Sequence, residues 1–229
     1  MSNQLIVMRT EKKYEISHFT VLKLKNMLQA SLKEDKFNNI DGYLVRSLYF
    51  DTVYDNDYWD KENGLEHRRK IRLRTYNPAS EKLKLELKEK KGENQIKRSL
   101  IIDKCSSKRL INGDYSVLRE IDTEFSNELF YIMQTNLYRP KCIVEYNRLA
   151  YMVPENNIRI TIDTNIKSTE SSYDIFSTSL GLYNVTEQNV LEVKYNNFLL
   201  SYVKDIIDIA DKSEISASKY CISRSISYI

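Results

Sequence analysis

Charged residues two positions apart recur along this chain. Arg72 and Arg74 stand in Lys70-Ile-Arg-Leu-Arg-Thr-Tyr76, Glu86 and Lys88 in Leu83-Lys-Leu-Glu-Leu-Lys88, and Glu192 and Lys194 in Val190-Leu-Glu-Val-Lys194. Glu11 and Lys13, Tyr146 and Arg148, and Arg159 and Thr161 repeat the spacing, and Arg9 and Lys97 join the set. Residues two apart on a strand project from the same face. Each strand then has one charged and one apolar face, the charged one mostly cationic with a few carboxylates among the cations. Such a face suits a polyanion bound together with a metal. Lining a closed barrel of about eight strands, it would form a channel with room for one slim ligand. So many inward cations would repel one another until an anion arrived. The same spacing also suits an ordinary solvated sheet face, and spacing alone does not separate the two.

The elements that must carry these residues can be read in order. A strand is expected around Val7–Ile16, then an amphipathic helix capped by Ser17, with Phe19, Leu22, Met27, Leu28 and Leu32 at helical spacing. Strands follow at Tyr43–Asp51 and Arg68–Tyr76, with Lys61-Glu-Asn-Gly64 as a turn and Asn77-Pro78 as a break. Lys82–Lys90 and Gln95–Asp103 form a hairpin around Lys91-Gly-Glu-Asn94. Val117–Leu137 reads as one helix whose apolar stripe packs into the core. Further strands are expected at Lys141–Met152, Asn157–Asp163 and Leu191–Tyr195, with helices near Phe198–Ala210 and Ser216–Ser225. The fold class is α+β, a single domain over residues 1–229 dominated by antiparallel strands.

Composition narrows the function. A hydrophobic fraction of 41% is enough for a core, so disorder is excluded. The net charge of +3 makes any cationic site local, which argues against the broad basic surface of a nucleic-acid binder. Cys105, Cys142 and Cys221 form no CxxC pair, so neither a zinc ribbon nor a disulfide framework is supported, and a reducing cytoplasm fits. The start of the chain lacks the basic leader of a signal peptide, and no apolar run approaches a membrane span. His18 and His67 offer no metal pair or Ser–His arrangement, and five scattered glycines make no phosphate loop. If phosphate is handled, side chains must do it.

Arg9-Thr-Glu-Lys-Lys-Tyr14, Ser47-Leu-Tyr-Phe-Asp51, Arg68-Arg-Lys-Ile-Arg-Leu-Arg-Thr-Tyr76, Glu145-Tyr-Asn-Arg148, Arg159-Ile-Thr-Ile-Asp163, Val190-Leu-Glu-Val-Lys194 and Ser218-Lys219 occur in that order. Together they resemble the VTC domain, the vacuolar transporter chaperone polyphosphate polymerase family of the triphosphate tunnel superfamily. The resemblance implies a closed antiparallel barrel, about eight strands flanked by helices. It also implies transfer of the terminal phosphoryl group of ATP to a growing polyphosphate or pyrophosphate acceptor. Phosphate-binding cations then fall on Lys13, Arg72, Arg74, Lys88, Lys97, Arg148, Arg159 and Lys219. Tyr146 and Ser218 match substrate-contacting positions, Lys194 and Glu11 share the substrate face, and Glu192 matches the carboxylate that binds Mn²⁺ or Mg²⁺. Glu11 and Glu86 are either further metal ligands or residues that orient the cations, and Tyr49 and Asp51 are read as structural.

Arg9 departs from the Glu-x-Glu-x-Lys opening of the wider superfamily. The change removes a metal-binding carboxylate and favours a long anion over plain triphosphate hydrolysis. The fungal members also carry a phosphate-sensing domain and membrane helices, for which these residues leave no room, so a separate membrane partner is expected where export is needed. A tripolyphosphatase or nucleoside triphosphatase on the same fold, and a non-catalytic polyphosphate-binding subunit, are the competing readings.

Overall fold

The computed structural model describes residues 9–92, 94–216 and 218–228, the side chains of Arg9 and Tyr228 excepted. Val7 and Met8 of the expected first strand lie outside the described residues. In chain order the elements are β1 (Arg9–Ile16), α1 (His18–Ser31), β2 (Lys33–Glu34), β3 (Tyr43–Thr52), α2 (Asn56–Glu62), β4 (His67–Thr75), β5 (Lys82–Lys91), β6 (Asn94–Asp103) and α3 (Lys104–Ile111). There follow α4 (Val117–Ile121), α5 (Glu124–Thr135), β7 (Tyr138–Val153), β8 (Ile158–Thr169), β9 (Tyr183–Asn184), β10 (Asn189–Asn196), α6 (Ser201–Asp208), β11 (Lys212–Glu214) and α7 (Lys219–Ser225). Eight strands are long, and β2, β9 and β11 are only two or three residues each. The fold is thus α+β, a mostly antiparallel sheet flanked by helices. Among the described residues no helix is long and apolar enough to cross a membrane.

The chain divides into two compact units, Met1–Leu44 with Tyr146–Ile166 and Thr186–Ala217, and Val45–Glu145 with Lys167–Val185 and Ser218–Ile229. In the first unit β1 pairs with β11 on one side and β10 on the other, and β10 pairs with β8. Its core alternates with its charges. Ile158, Ile160 and Ile162 of β8 and Leu191 and Val193 of β10 pack with Leu24 and Leu28 of α1 and Val203 and Ile207 of α6. Ser17 caps α1 by accepting from the Thr20 N–H.

The buried face of α1 is Thr20, Val21, Leu24 and Leu28, not the expected stripe. Phe19 and Leu22 are exposed. Leu24, left out of the expected set, turns the face by about a third of a turn. Before β3, Gly42 has a φ of +84°, and a Cβ there would fall 2.5 Å from the Arg148 carbonyl oxygen. Only glycine allows this loop to lie against β7.

In the second unit β3, β4, β5 and β6 pair in sequence order, the simplest antiparallel meander. Leu48, Phe50, Ile71, Leu73, Leu83, Leu85 and Leu87 form the apolar side and pack with Leu118, Leu129 and Met133. The expected single helix over Val117–Leu137 is two. Asp122 adopts a left-handed φ of 50°, and Thr123 opens α5 with a capping box to Ser126. Two helices went unexpected: α3, capped by Asp103, and α2, which ends in the segment read as a turn. Among the described residues the strand order ends at β11 and at β6, so backbone hydrogen bonds do not close the expected barrel.

Candidate functional site

The register of β4, β5 and β6 stacks charge into rows. Lys70 lies opposite Lys88, which lies opposite Lys97; one row on, Arg72 lies opposite Glu86. On β3, Tyr49 faces Arg72 and Ser47 faces Arg74. Glu86 is the hub. Its buried carboxylate lies 2.7 Å from Arg72 Nε, 3.9 Å from Arg74 Nη1 and 2.5 Å from Lys97 Nζ. Burial pushes the Glu86 carboxyl up, but Arg72, Arg74 and Lys97 outweigh it and hold it down at about 2. Arg72 Nη1 donates to the Tyr49 hydroxyl at 3.3 Å and Arg74 Nε to Ser47 Oγ at 3.1 Å. These contacts fix both guanidinium planes.

Helix α7 carries Ser218 as its N-cap and Lys219 as its first residue. The Ser218 hydroxyl accepts from the Cys221 N–H and from Lys70 Nζ. Tyr220 anchors the helix: its ring stacks on Tyr49 with centroids 5.1 Å apart, and its hydroxyl donates to Asp51 Oδ2 at 2.6 Å. Asp51 also accepts from the backbone N–H groups of Thr52, Asp57 and Tyr58, which starts α2. Burial raises the Asp51 carboxyl against those hydrogen bonds. Tyr49 and Asp51 therefore hold the scaffold on which Arg72, Ser218 and Lys219 are placed.

The first unit carries the other cluster. Across β1 and β10, Lys13 lies opposite Glu192 and Glu11 opposite Lys194, a checkerboard of sign. On β8, Arg159 lies opposite Lys194 and Thr161 opposite Glu192. Glu192 is buried, with Lys194 at 3.0 Å, Arg148 at 3.8 Å and Lys13 at 3.9 Å. Burial would raise its carboxyl, yet Lys194, a hydrogen bond with Glu11, Lys13 and Arg148 together hold it well below the usual carboxylate range. Glu11 also pairs with Lys13 at 3.1 Å and Lys194 at 3.9 Å.

Arg148 gives Nε and Nη2 to the buried Asp163 at 2.6 and 2.7 Å, and its guanidinium lies 5.3 Å from the centroid of the buried Tyr146 ring. Arg159 Nη2 donates to Asp35 Oδ2 and to the Tyr43 hydroxyl, each at 3.2 Å.

The sequence-predicted residues thus gather in two sets. Lys13, Arg148, Arg159, Lys194, Glu11, Glu192 and Tyr146 belong to the first unit, and Arg72, Arg74, Lys88, Lys97, Ser218 and Lys219 to the second. One expectation is revised. The cations do not face one another unscreened, because Glu86, Glu192, Glu11, Asp163 and Asp35 are built-in counter-charges. Sequence reasoning missed Asp35, Asp163 and Lys70 as members. Lys70 was findable, being two residues before Arg72 and on its face; Asp163 depends on the register of β7 and β8, and Asp35 on a loop that reaches Arg159 from far away in sequence.

The architecture is an antiparallel sheet whose strand faces interleave arginine and lysine with carboxylates, Glu86 and Glu192 among them buried. The chain belongs to the VTC domain family, whose profile matches residues 8–228. No curated protein matches it. Similar solved structures include a proposed adenylate cyclase from Bacillus halodurans, at 12% identity and a TM-score of 0.49, covering 89% of this chain and 87% of that one. A proposed adenylate cyclase from Vibrio parahaemolyticus is 13% identical, with a TM-score of 0.48 and coverages of 95% and 98%. A Pyrococcus horikoshii protein is 11% identical, with a TM-score of 0.47 and coverages of 96% and 99%.

Proposed function

We propose that this chain is an ATP-dependent polyphosphate polymerase. The observation that carries the reading is Glu192, a buried carboxylate kept ionised among Lys13, Lys194 and Arg148, in a chain that belongs to the VTC domain family throughout. In the proposed reaction a terminal oxygen of the polyphosphate or pyrophosphate acceptor attacks the γ-phosphorus of ATP. The bond from that phosphorus to the β–γ bridging oxygen breaks, and ADP leaves with the bridging oxygen. Phosphoryl transfer asks the protein for alignment and charge neutralisation rather than covalent help. Arg72, Arg74, Arg148 and Arg159 offer guanidinium charge and N–H groups to phosphate oxygens, and Lys13, Lys88, Lys97, Lys194 and Lys219 act as point charges. Ser218 and Tyr146 offer hydroxyl groups to the substrate.

The donor set fits a hard divalent ion. Carboxylate oxygens are its ligands, and such ions commonly take one or two carboxylates and complete their shell with substrate phosphates. Among the described residues no group of three His, Cys, Asp or Glu assembles, so Glu192, with Glu11 beside it, would hold Mn²⁺ or Mg²⁺ only together with phosphate. When bound, the ion would neutralise charge on the phosphate oxygens. Three free cysteines suit a cytoplasmic setting, and export would require a separate membrane partner.

Metal-dependent triphosphate hydrolysis is the second reading, favoured by the two carboxylates Glu11 and Glu192 that share Lys13 and Lys194. Incubation with ATP and Mn²⁺, followed by gel staining for polyphosphate, separates the two. Long chains with matching ADP support the polymerase. Orthophosphate alone supports the hydrolase, and neither product overturns both.

A further inference from the structure

We propose that the first unit holds a separate binding site for a small zwitterion, a molecule with the size and the two charges of an α-amino acid. The site does not rest on the phosphate-binding reading above. A cavity of about 280 Å³ lies between the C-terminal half of α1, the segment from β2 to β3, and β7. Lys25, Gln29, Glu34, Asn39, Leu149 and Tyr151 line it, and all belong to the first unit. Side chains alternate along a strand, so Leu149 and Tyr151 leave β7 on the face opposite Arg148. The wall is pinned to β7: the Asp35 N–H donates to the Ala150 carbonyl at 2.9 Å, and the Asn38 amide exchanges hydrogen bonds of 2.9 and 3.0 Å with the Ala150 backbone.

The pairing of β2 with β7 sets Glu34 directly opposite Tyr151, so the two side chains share a face. Tyr151 is 1% exposed, yet among the described residues its hydroxyl makes no hydrogen bond. Buried polar side chains nearly always find a partner, so a hydroxyl placed on a cavity wall in this way points to a ligand. Burial, with the charge of Glu34, pushes the phenol up to about 12. Near neutral pH it therefore keeps its proton and is a donor.

The same wall carries opposite charges that do not neutralise each other. Glu34 is half-buried and forms no ion pair among the described residues. The Lys25 ammonium donates to the Ile40 carbonyl and likewise meets no carboxylate among them. A zwitterion answers both, its ammonium at Glu34 and the Tyr151 end, its carboxylate at Lys25. A molecule with one charge leaves the other unanswered. The amides of Gln29 and Asn39 remain for its other polar atoms. A volume of about 280 Å³ is that of about nine waters, the size of an amino acid rather than of a nucleotide.

The test is ligand-observed NMR on the full chain with the protein amino acids as probes at millimolar concentration, followed by calorimetric titration of the best binder. The parent should bind, and loss of one charge-assisted contact predicts a Kd about tenfold or more weaker for Glu34→Gln and for Lys25→Gln. Tyr151→Phe, which keeps the ring and removes the donor, should also bind less tightly. Lys23→Gln, on the exposed side of α1, should bind as the parent does. Butylamine and butyrate, which carry a single charge, should each bind about tenfold or more weakly than the amino acid. Should Glu34→Gln fail to fold, Lys25→Gln is read by the same criteria. Binding of no amino acid by the parent overturns the assignment. So does binding that survives the loss of either charge, or butylamine or butyrate binding as tightly as the amino acid.

Discussion

Replacing Glu86 with Gln tests the central electrostatic claim, that the cations of the second unit rest against a built-in counter-charge. The amide keeps the shape and removes the charge that Arg72, Arg74 and Lys97 surround. A carboxyl held at about 2 instead of its ordinary 4.5 has its ionised form favoured by about 3 kcal/mol. At this chain length each kcal/mol moves Tm by about 2–4 °C, so the variant should melt roughly 6–12 °C lower at low salt. The pH dependence has a definite sign. The folded-state value is the lower one, so the stabilisation is complete above the unfolded value and is lost as pH falls from about 4.5 towards 2. The variant should lack that acid-side loss. Tripolyphosphate should restore the missing negative charge: at about 100 times its Kd it adds about 2.7 kcal/mol, which recovers most of the deficit. The assay is thermal unfolding by circular dichroism across pH, with and without the anion. A Glu86→Gln protein that melts within about 2 °C of the parent and keeps the same acid limb would refute the reasoning, because the carboxylate would then be doing nothing for its cations.

Arg148→Ala should destabilise the fold by about 3–5 kcal/mol in chemical denaturation, since it strands the buried Asp163. Arg159→Ala, whose partners Asp35 and Tyr43 are nearer solvent, should instead lower turnover at least about tenfold while unfolding almost as the parent does. Glu192→Gln should abolish turnover of ATP yet leave polyphosphate binding intact or slightly tighter; intact turnover with lost binding would assign the carboxylate to orienting cations. Tyr220→Phe keeps the stack on Tyr49 but deletes the donor to Asp51. It should lose about 1.5–3 kcal/mol in urea unfolding.

Strands were the legible part of this fold, because alternation of charge and apolar residues over eight to ten positions has one physical reading. Tyr43–Asp51 and Lys82–Lys90 were each read one residue short at their C-terminal ends. Helices were less so. The α2 helix is started by Asp51, several residues upstream of an ordinary cap position, after Asp55 turns left-handed with φ 56°. No local rule finds such a start. The break at Asp122 likewise interrupts an apolar period that runs on undisturbed through Ile121 and Phe125. At the site, the shared face of Arg72 and Arg74, or of Glu192 and Lys194, followed from spacing. Which carboxylate answers which cation did not. Asp163 meets Arg148 across the consecutive strands β7 and β8, where register decides, and Asp35, just past β2, meets Arg159 from a segment far away in sequence.

The internal carboxylates also set what each cluster would ask of an anion. Under the proposed function an incoming phosphate would compete with acids already in place: in the second unit Glu86 holds Arg72, Arg74 and Lys97, and in the first Glu11 and Glu192 hold Lys13 and Lys194. A chloride ion would bring a single charge to such an exchange, whereas a chain of phosphates carries one on every link. On that reading the length of the anion is what each cluster would select, through the same groups that balance its charge when it is empty.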